Sequence, residues 1–257
     1  MIEITRSNWW VTIRTVFFGA QQENPQVDAD LIGCIQCARP NVGFQLVRTL
    51  HIDLNRDRDL LFSDLAKSTK NQVNRAAKQD CFRYTAIAQP TEMDILAFRT
   101  FYNAFARAKG TTLCRPYHIE TLKLLMEQNG LVITRVDDAE GEALCYHVYV
   151  ADGKRAMLLY SASNFRAIED RQRRNRLARA NRFQHWNDIL FFKQAGFSVY
   201  DCGGLTEDAR VEEFKRSFGG TEVAEYTGYV PLTWRGTMAA GFRRMLSRLR
   251  RHIFSPS

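Results

Sequence analysis

Residues 185–220 read HWNDILFFKQAGFSVYDCGGLTEDARVEEFKRSFGG. A helical pattern that begins near residue 174 stops at Gly196, a usual helix terminator. Phe197 to Asp201 then alternate as a short strand, Cys202-Gly203-Gly204 turns the chain, and a helix is expected over 207–217. Before the long helix, residues 155–162 (RAMLLYSA) read as another strand. A strand–helix–strand unit closes right-handed and makes its two strands parallel. Further back lie strands at 131–136 and 143–150, joined by the turn Asp137–Gly141, so the sheet is expected to be mixed. Met93, Leu96, Ala97, Phe101, Ala104 and Phe105 form a helical stripe over 92–109. Pro116 opens a second helix that runs to Gly130. With a strand at 81–88 and a last strand near 222–232, the order from residue 81 is β-α-α-β-β-β-α-β-α-β. This predicts a mixed α/β sheet flanked by helices.

Upstream, residues 8–18 and 30–37 read as strands around a polar turn, Gln21 to Asp28. Residues 43–54 read as a third strand. A helix follows over about 57–79, with Leu61, Leu65, Val73 and Ala76 as its apolar positions. Lys67, Lys70, Asn71, Asn74, Arg75 and Lys78 share one face, either solvated or in contact with an anion. Met238, Phe242, Met245, Leu246, Leu249 and Ile253 form an apolar stripe with Arg235, Arg243, Arg244, Arg248, Arg250 and Arg251 around it. That is a basic amphipathic helix. It either docks on the protein with its arginines in water or lies on an anionic membrane. Three segments are expected: 1–80 (strands plus the basic helix), 81–232 (the core) and 233–257 (the amphipathic helix).

The 257 residues are 45% hydrophobic and 25% charged, enough for a sizeable core, and the net charge of +8 favours an anionic partner. The start, MIEITRSNWW, lacks a basic n-region followed by an apolar stretch, so no signal peptide is expected. No apolar run is long enough to span a bilayer. The six cysteines are scattered through apolar segments, as in a reducing compartment. Cys34 and Cys37 form a C-x-x-C, but no second Cys or His pair lies nearby, and no metal is expected. The protein is expected in the cytoplasm, with a peripheral position at the inner membrane face left open by residues 235–257.

The densest chemical signal is NFRAIEDRQRRNRLARANR, residues 164–182, between a strand end and a long helix. Free N–H groups at a helix start, with arginines beside them, make a phosphate site. The alternative is a solvated arginine face, or ion pairs with Glu169 and Asp170. The segment Asn175-Arg176-Leu177-Ala178-Arg179-Ala180 resembles the R/Q-x-x-G-x-G/A junction of GNAT acyltransferases. Their backbone amides there hold the pyrophosphate of acyl-CoA. The resemblance implies a cofactor site of Arg174, Asn175, Arg176, Leu177, Ala178, Arg179 and Ala180, with alanines where the glycines stand.

A second resemblance rests on Trp186, Gly196, Tyr200-Asp201-Cys202-Gly203-Gly204 and Phe214-Lys215-Arg216-Ser217-Phe218-Gly219. It is to the C-terminal part of FemAB-like transferases. The basic segment 63–80 is similar to that family's helix ahead of the core, so the resemblance covers roughly residues 43–232. FemAB enzymes move an amino acid from aminoacyl-tRNA to an amine of a peptidoglycan precursor. Lys215 matches the lysine that the family associates with substrate phosphate.

Amine acylation needs a proton acceptor and a group that stabilises the oxyanion. Asp201 ends a strand before two glycines and could serve the amine, or cap the turn. His147 and Tyr226 complete the catalytic candidates. Lys215, Arg75, Tyr160 and His185 are the substrate-binding candidates. Cys202 reads as packing. Three functions remain open: an acyl-CoA-dependent transferase acting on a small-molecule or envelope-precursor amine, an aminoacyl-tRNA-dependent transferase, or a non-catalytic RNA or membrane-surface binder on a decayed transferase fold.

Overall fold

A computed structural model describes residues 1–19, 28–163 and 170–242. Its contacts fall into two compact units. One holds the described residues of 1–48 and from 224 onward, and the other is Thr49–Val223. The expected boundary at residue 80 does not appear as a break, because 49–80 belong with the second unit.

In the first unit the strand order is β1-β2-β3-β10, with β1 at Ile2–Ser7, β2 at Thr12–Phe17, β3 at Leu31–Cys37 and β10 at Thr221–Pro231. β1 lay outside the expected elements, although Ile2 and Ile4 alternate inward as a strand should. β2 and β3 pair in parallel. Most of the polar turn expected between them, residues 21–27, lies outside the described residues. Val11, Leu31, Ala239 and Ala240 are the buried centre of this unit.

The second unit carries the strand order β4-β9-β8-β7-β6-β5: β4 Gln45–Asp53, β5 Arg83–Ile87, β6 Leu131–Asp137, β7 Ala143–Ala151, β8 Arg155–Ser163 and β9 Val199–Gly204. β8 and β9 are parallel and the other pairs antiparallel, so the fold is mixed α/β as expected. Its helices are α1 (Arg58–Asp64), α2 (Lys67–Gln79), α3 (Glu92–Lys109), α4 (Pro116–Glu127), α5 (Arg171–Gln194) and α6 (Ala209–Arg216). α3 starts in a capping box of Thr91 and Asp94 and ends at Gly110 in the left-handed region, so its limits were legible. The single helix expected over 57–79 is two. Leu65 turns extended, and the Ala66 N–H donates to the Ser217 carbonyl at 2.9 Å, which spends on a tertiary contact a donor that a continuous helix would keep. On one face of this sheet Tyr149, Leu158, Tyr200 and Cys202 pack with Trp186, Ile189 and Phe192 of α5 in the main core cluster. On the other, Phe98 and Phe101 of α3 pack on Tyr146 and Tyr160.

Candidate functional site

The parallel strands β8 and β9 pair only over Arg155–Met157 against Val199–Asp201. β8 then runs on to Ser163 and β9 to Gly204. Parallel strands that part in this way open a crevice at their carboxyl ends, where open α/β sheets bind ligands. β8 bulges at the fork: Tyr149 faces Leu158 and Val148 faces Tyr160, so Leu159 is the extra residue. On β9, Gly203 has φ +72°, and a Cβ there would lie 2.5 Å from the Leu158 carbonyl oxygen. Only glycine lets the two arms approach so closely.

Asp201, the last residue of β9 paired with β8, is fully buried. It accepts from the Gly203 N–H at 2.9 Å, from Arg155 Nε at 3.1 Å, and from the Thr49 hydroxyl. His51 Nε2 lies 3.8 Å away. The turn-capping reading therefore accounts for this carboxylate, with a guanidinium as counter-charge. Across the turn, Lys215 of α6 donates from Nζ to the carbonyls of Gly203 (3.2 Å) and Gly204 (2.7 Å). Burial pulls its pKa below the ordinary lysine value, while Cys202 and Asp201 oppose that shift. Tyr160 packs edge-on to Tyr102, and burial raises its phenol above the usual range. Burial also pushes the Cys202 thiol up to about 12, in keeping with a packing role.

Behind the fork lies a buried polar network. Asp188 of α5 accepts from Tyr84 (2.9 Å), Tyr149 (2.7 Å) and His147 Nδ1 (2.6 Å). Tyr149 has then spent its proton, so at 3.0 Å it accepts from Tyr200. Tyr200 has likewise spent its own, so at 2.9 Å it accepts from His185 Nδ1–H. The donors all run toward one carboxylate, and His185 is neutral in this scheme. Burial, helped by His147, Lys215 and Arg182, holds the His185 pKa well below 6.5. Burial and the Asp188 charge hold Tyr149 and Tyr200 well above 10, so both stay protonated. The side-chain ligand atoms of His147, His185 and Asp188 lie within 4.8 Å of one another, a spacing that could suit a metal ion. Hydrogen bonds already satisfy the carboxylate, and a proton network is the reading this geometry carries.

The neutral His185 sets a pH dependence. Below about 6.5 the unfolded chain binds a proton at this residue that the folded chain refuses. Stability should therefore fall as pH drops, by about 1.4 kcal/mol per pH unit. Urea unfolding across a pH series measures this slope, and His185→Phe, beside Phe214 and Phe218, should flatten it.

The expected phosphate cradle needs correction. α5 begins at Arg171, not near 174, and Asp170 caps it by accepting from the Gln172 and Arg173 N–H groups. Residues 175–180 are therefore interior turns whose N–H groups serve the helix itself. Arg179 makes two bonds to the Asp80 carboxylate, at 2.6 and 2.7 Å, and Arg176 donates to the Asp80 carbonyl at 3.2 Å. Leu177 and Ala180 are buried, whereas Arg174 and Asn175 are exposed. A cleft of about 190 Å³ beside Arg173 and Arg176 is also lined by Asp138 and Glu142, a mixed charge poorly suited to an anion. Arg166 and the rest of 164–169 lie outside the described residues.

The structure thus brings His147 and His185 into one network, with ring centroids 4.3 Å apart, and puts Asp201 and Tyr160 on the two arms of the fork, with Lys215 against the glycines. Arg75 is an exposed residue of α2, bonded to Gln79. Tyr226 pairs with Cys37 in the first unit. Sequence reasoning missed Asp188, Tyr149, Tyr200, Thr49 and Arg155. Asp188 had a signal: it stands three residues after His185, on the same helix face, just ahead of the apolar run Ile189–Phe192.

Neither a protein-family model nor a curated protein matches the sequence. Solved structures do match in fold. FemX superposes with a TM-score of 0.61 at 12% identity, over 88% of this chain and 83% of that one. The C-terminal domain of a lysylphosphatidylglycerol synthetase from Agrobacterium fabrum gives 0.57 at 12%, over 92% and 82%. L-PGS from Bacillus licheniformis gives 0.53 at 11%, over 96% and 85%. The FemAB-like resemblance read from the sequence therefore holds at the level of fold.

Proposed function

We propose that the protein is an acyltransferase that passes an activated acyl group, held as an aminoacyl ester or a thioester, to an amine. The fork between β8 and β9, in a fold shared with FemX, is the observation that carries this reading. The acyl carbonyl would lie along the β9-facing edge of β8 beyond the close approach of Gly203 to Leu158, where no strand pairs with that edge among the described residues. Backbone N–H groups of that edge can donate to the oxyanion. The amine nitrogen attacks the carbonyl carbon, the C–N bond forms, and the C–O or C–S bond breaks. The departing oxygen or sulfur takes the Tyr160 proton, and the proton released by the amine returns through solvent to the Tyr160 oxygen. Asp201 acts as a positioning residue, since its oxygens are committed to the turn. His147 and His185 hold β7, β9 and α5 in place behind it.

Aminoacyl-tRNA is the donor favoured by one observation: the amides of residues 175–180, on which an acyl-CoA site rested, are spent inside α5. The folds shared with FemX and with the lysylphosphatidylglycerol synthetase domain fit the same donor. The acceptor is an amine of a small molecule or an envelope precursor. Both donor classes are cytoplasmic molecules, and the proposal puts the protein there.

Thermal-shift titration with aminoacyl-tRNA, acetyl-CoA and free CoA tests the donor. A ligand at 100 times its dissociation constant adds about 2.7 kcal/mol. A salt-sensitive shift with tRNA alone is expected. A saturable shift with acetyl-CoA and none with tRNA would transfer the reading to thioester chemistry. Failure of labelled donor to acylate any amine with either class would overturn it.

A further inference from the structure

The first unit ends its described residues in a helical segment, 234–242. Of the two readings of the amphipathic pattern, docking on the protein would turn Met238 and Phe242 inward. The structure has the opposite. The segment docks through Gly236, Ala239 and Ala240, which are buried among Val11, Leu31 and Trp10. Gly236 comes so near that a Cβ would fall 1.9 Å from the Asp30 carbonyl oxygen. Trp234, Met238 and Phe242, spaced by four, stand on the outward face with 66%, 57% and 59% of their surface exposed. Trp9 is 94% exposed, and its neighbours Trp10 and Val11 pack on the same docking residues. Large apolar side chains in such a row are rare on a surface that meets only water.

We propose that this outward face binds the surface of an anionic lipid bilayer. Tryptophan favours the boundary between headgroups and acyl chains, where its ring is buried and its N–H stays wet. Charge points the same way. Arg235 lies over the Trp234 ring, 5.5 Å from its centroid. The sequence that follows carries Arg243, Arg244, Arg248, Arg250 and Arg251, and residues 232–257 contain no Asp or Glu. The nearby Asp30 is engaged by the Thr233 hydroxyl and the Thr12 N–H. A protein partner's apolar pocket would match the row but gain nothing from an all-basic flank, whereas anionic headgroups match both.

The full chain should co-sediment with vesicles of equal parts phosphatidylcholine and phosphatidylglycerol, and not with phosphatidylcholine alone. Tryptophan emission should shift to the blue, and rising salt should weaken binding. Trp234→Ser, Met238→Ser and Phe242→Ser together should weaken it roughly a hundredfold, with an unchanged thermal midpoint because the docking residues remain. Leu60→Ser with Met93→Ser, exposed apolar residues of the second unit, should leave binding unaltered. Absence of vesicle binding, or equal binding by the triple variant, overturns the proposal. So does a dimer that the triple variant dissolves in the absence of vesicle binding, which would assign the face to a second copy of the chain.

Discussion

Asp188→Ala is expected to destabilise the protein by about 3–5 kcal/mol, measured as the loss in unfolding free energy in urea. The carboxylate has no exposed surface and accepts from three side chains on two strands. Its removal leaves two phenols and an imidazole buried without an acceptor, and each such group costs about 1–3 kcal/mol. Tyr200 and His185 lose their orientation next, because their donors were aligned one behind another. A stability of 5–15 kcal/mol is typical of a domain, so the variant should sit close to unfolding at body temperature. Asp188→Asn should recover part of the loss, since one acceptor oxygen remains. An alanine variant within about 1 kcal/mol of the parent would mean that water replaces the carboxylate, and the closed network would be wrong.

The second large effect belongs to Lys215. Lys215→Met should slow acyl transfer about a hundredfold while lowering unfolding free energy by only about 1–3 kcal/mol, through the two carbonyls left without their donor. Two ammonium protons are spent on the Gly203 and Gly204 carbonyls, which leaves the third for an anionic group of donor or acceptor. Met keeps the apolar stem and removes the charge from a partly buried place. The pKa of this lysine is lowered, so the rate should fall as pH rises through a value under 10.5. Lys215→Arg should restore activity and remove that alkaline limb. An unchanged rate in the methionine variant would make Lys215 a brace for the turn and nothing more.

Most elements were legible because their signals are local. Thr91, Gly110 and Pro116 bracket α3 and open α4, and the turn Asp137–Gly141 separates β6 from β7. The errors came from distant contacts or from one overlooked cap. Nothing within 57–79 announces the break at Leu65, because its cause is a carbonyl about 150 residues further on, at Ser217. Asp170 did announce the start of α5. Setting that start three residues late made residues 175–180 look like a junction and hid their place inside the helix. At the site, the individual candidates were visible as residue types, but the hub was not. Asp188 matters because strands β5 and β7 bring three side chains to it, and although its place three residues after His185 was readable, the strand pairing that delivers those partners leaves no mark at the level of spacing.

The division of the chain has a consequence for the order in which it can be made. Thr49–Val223 is one unbroken stretch, whereas the first unit is assembled from both ends. β3 finds its antiparallel partner in β10, nearly two hundred residues later. On the ribosome the second unit can close on its own, as domains do, while β1, β2 and β3 have emerged but wait for a strand not yet translated. The edge of β3 that β10 will cover is exposed throughout that interval, and contacts of such long sequence separation form slowly. Truncation after Val223 should therefore leave a folded, soluble second unit and an N-terminal segment prone to aggregate.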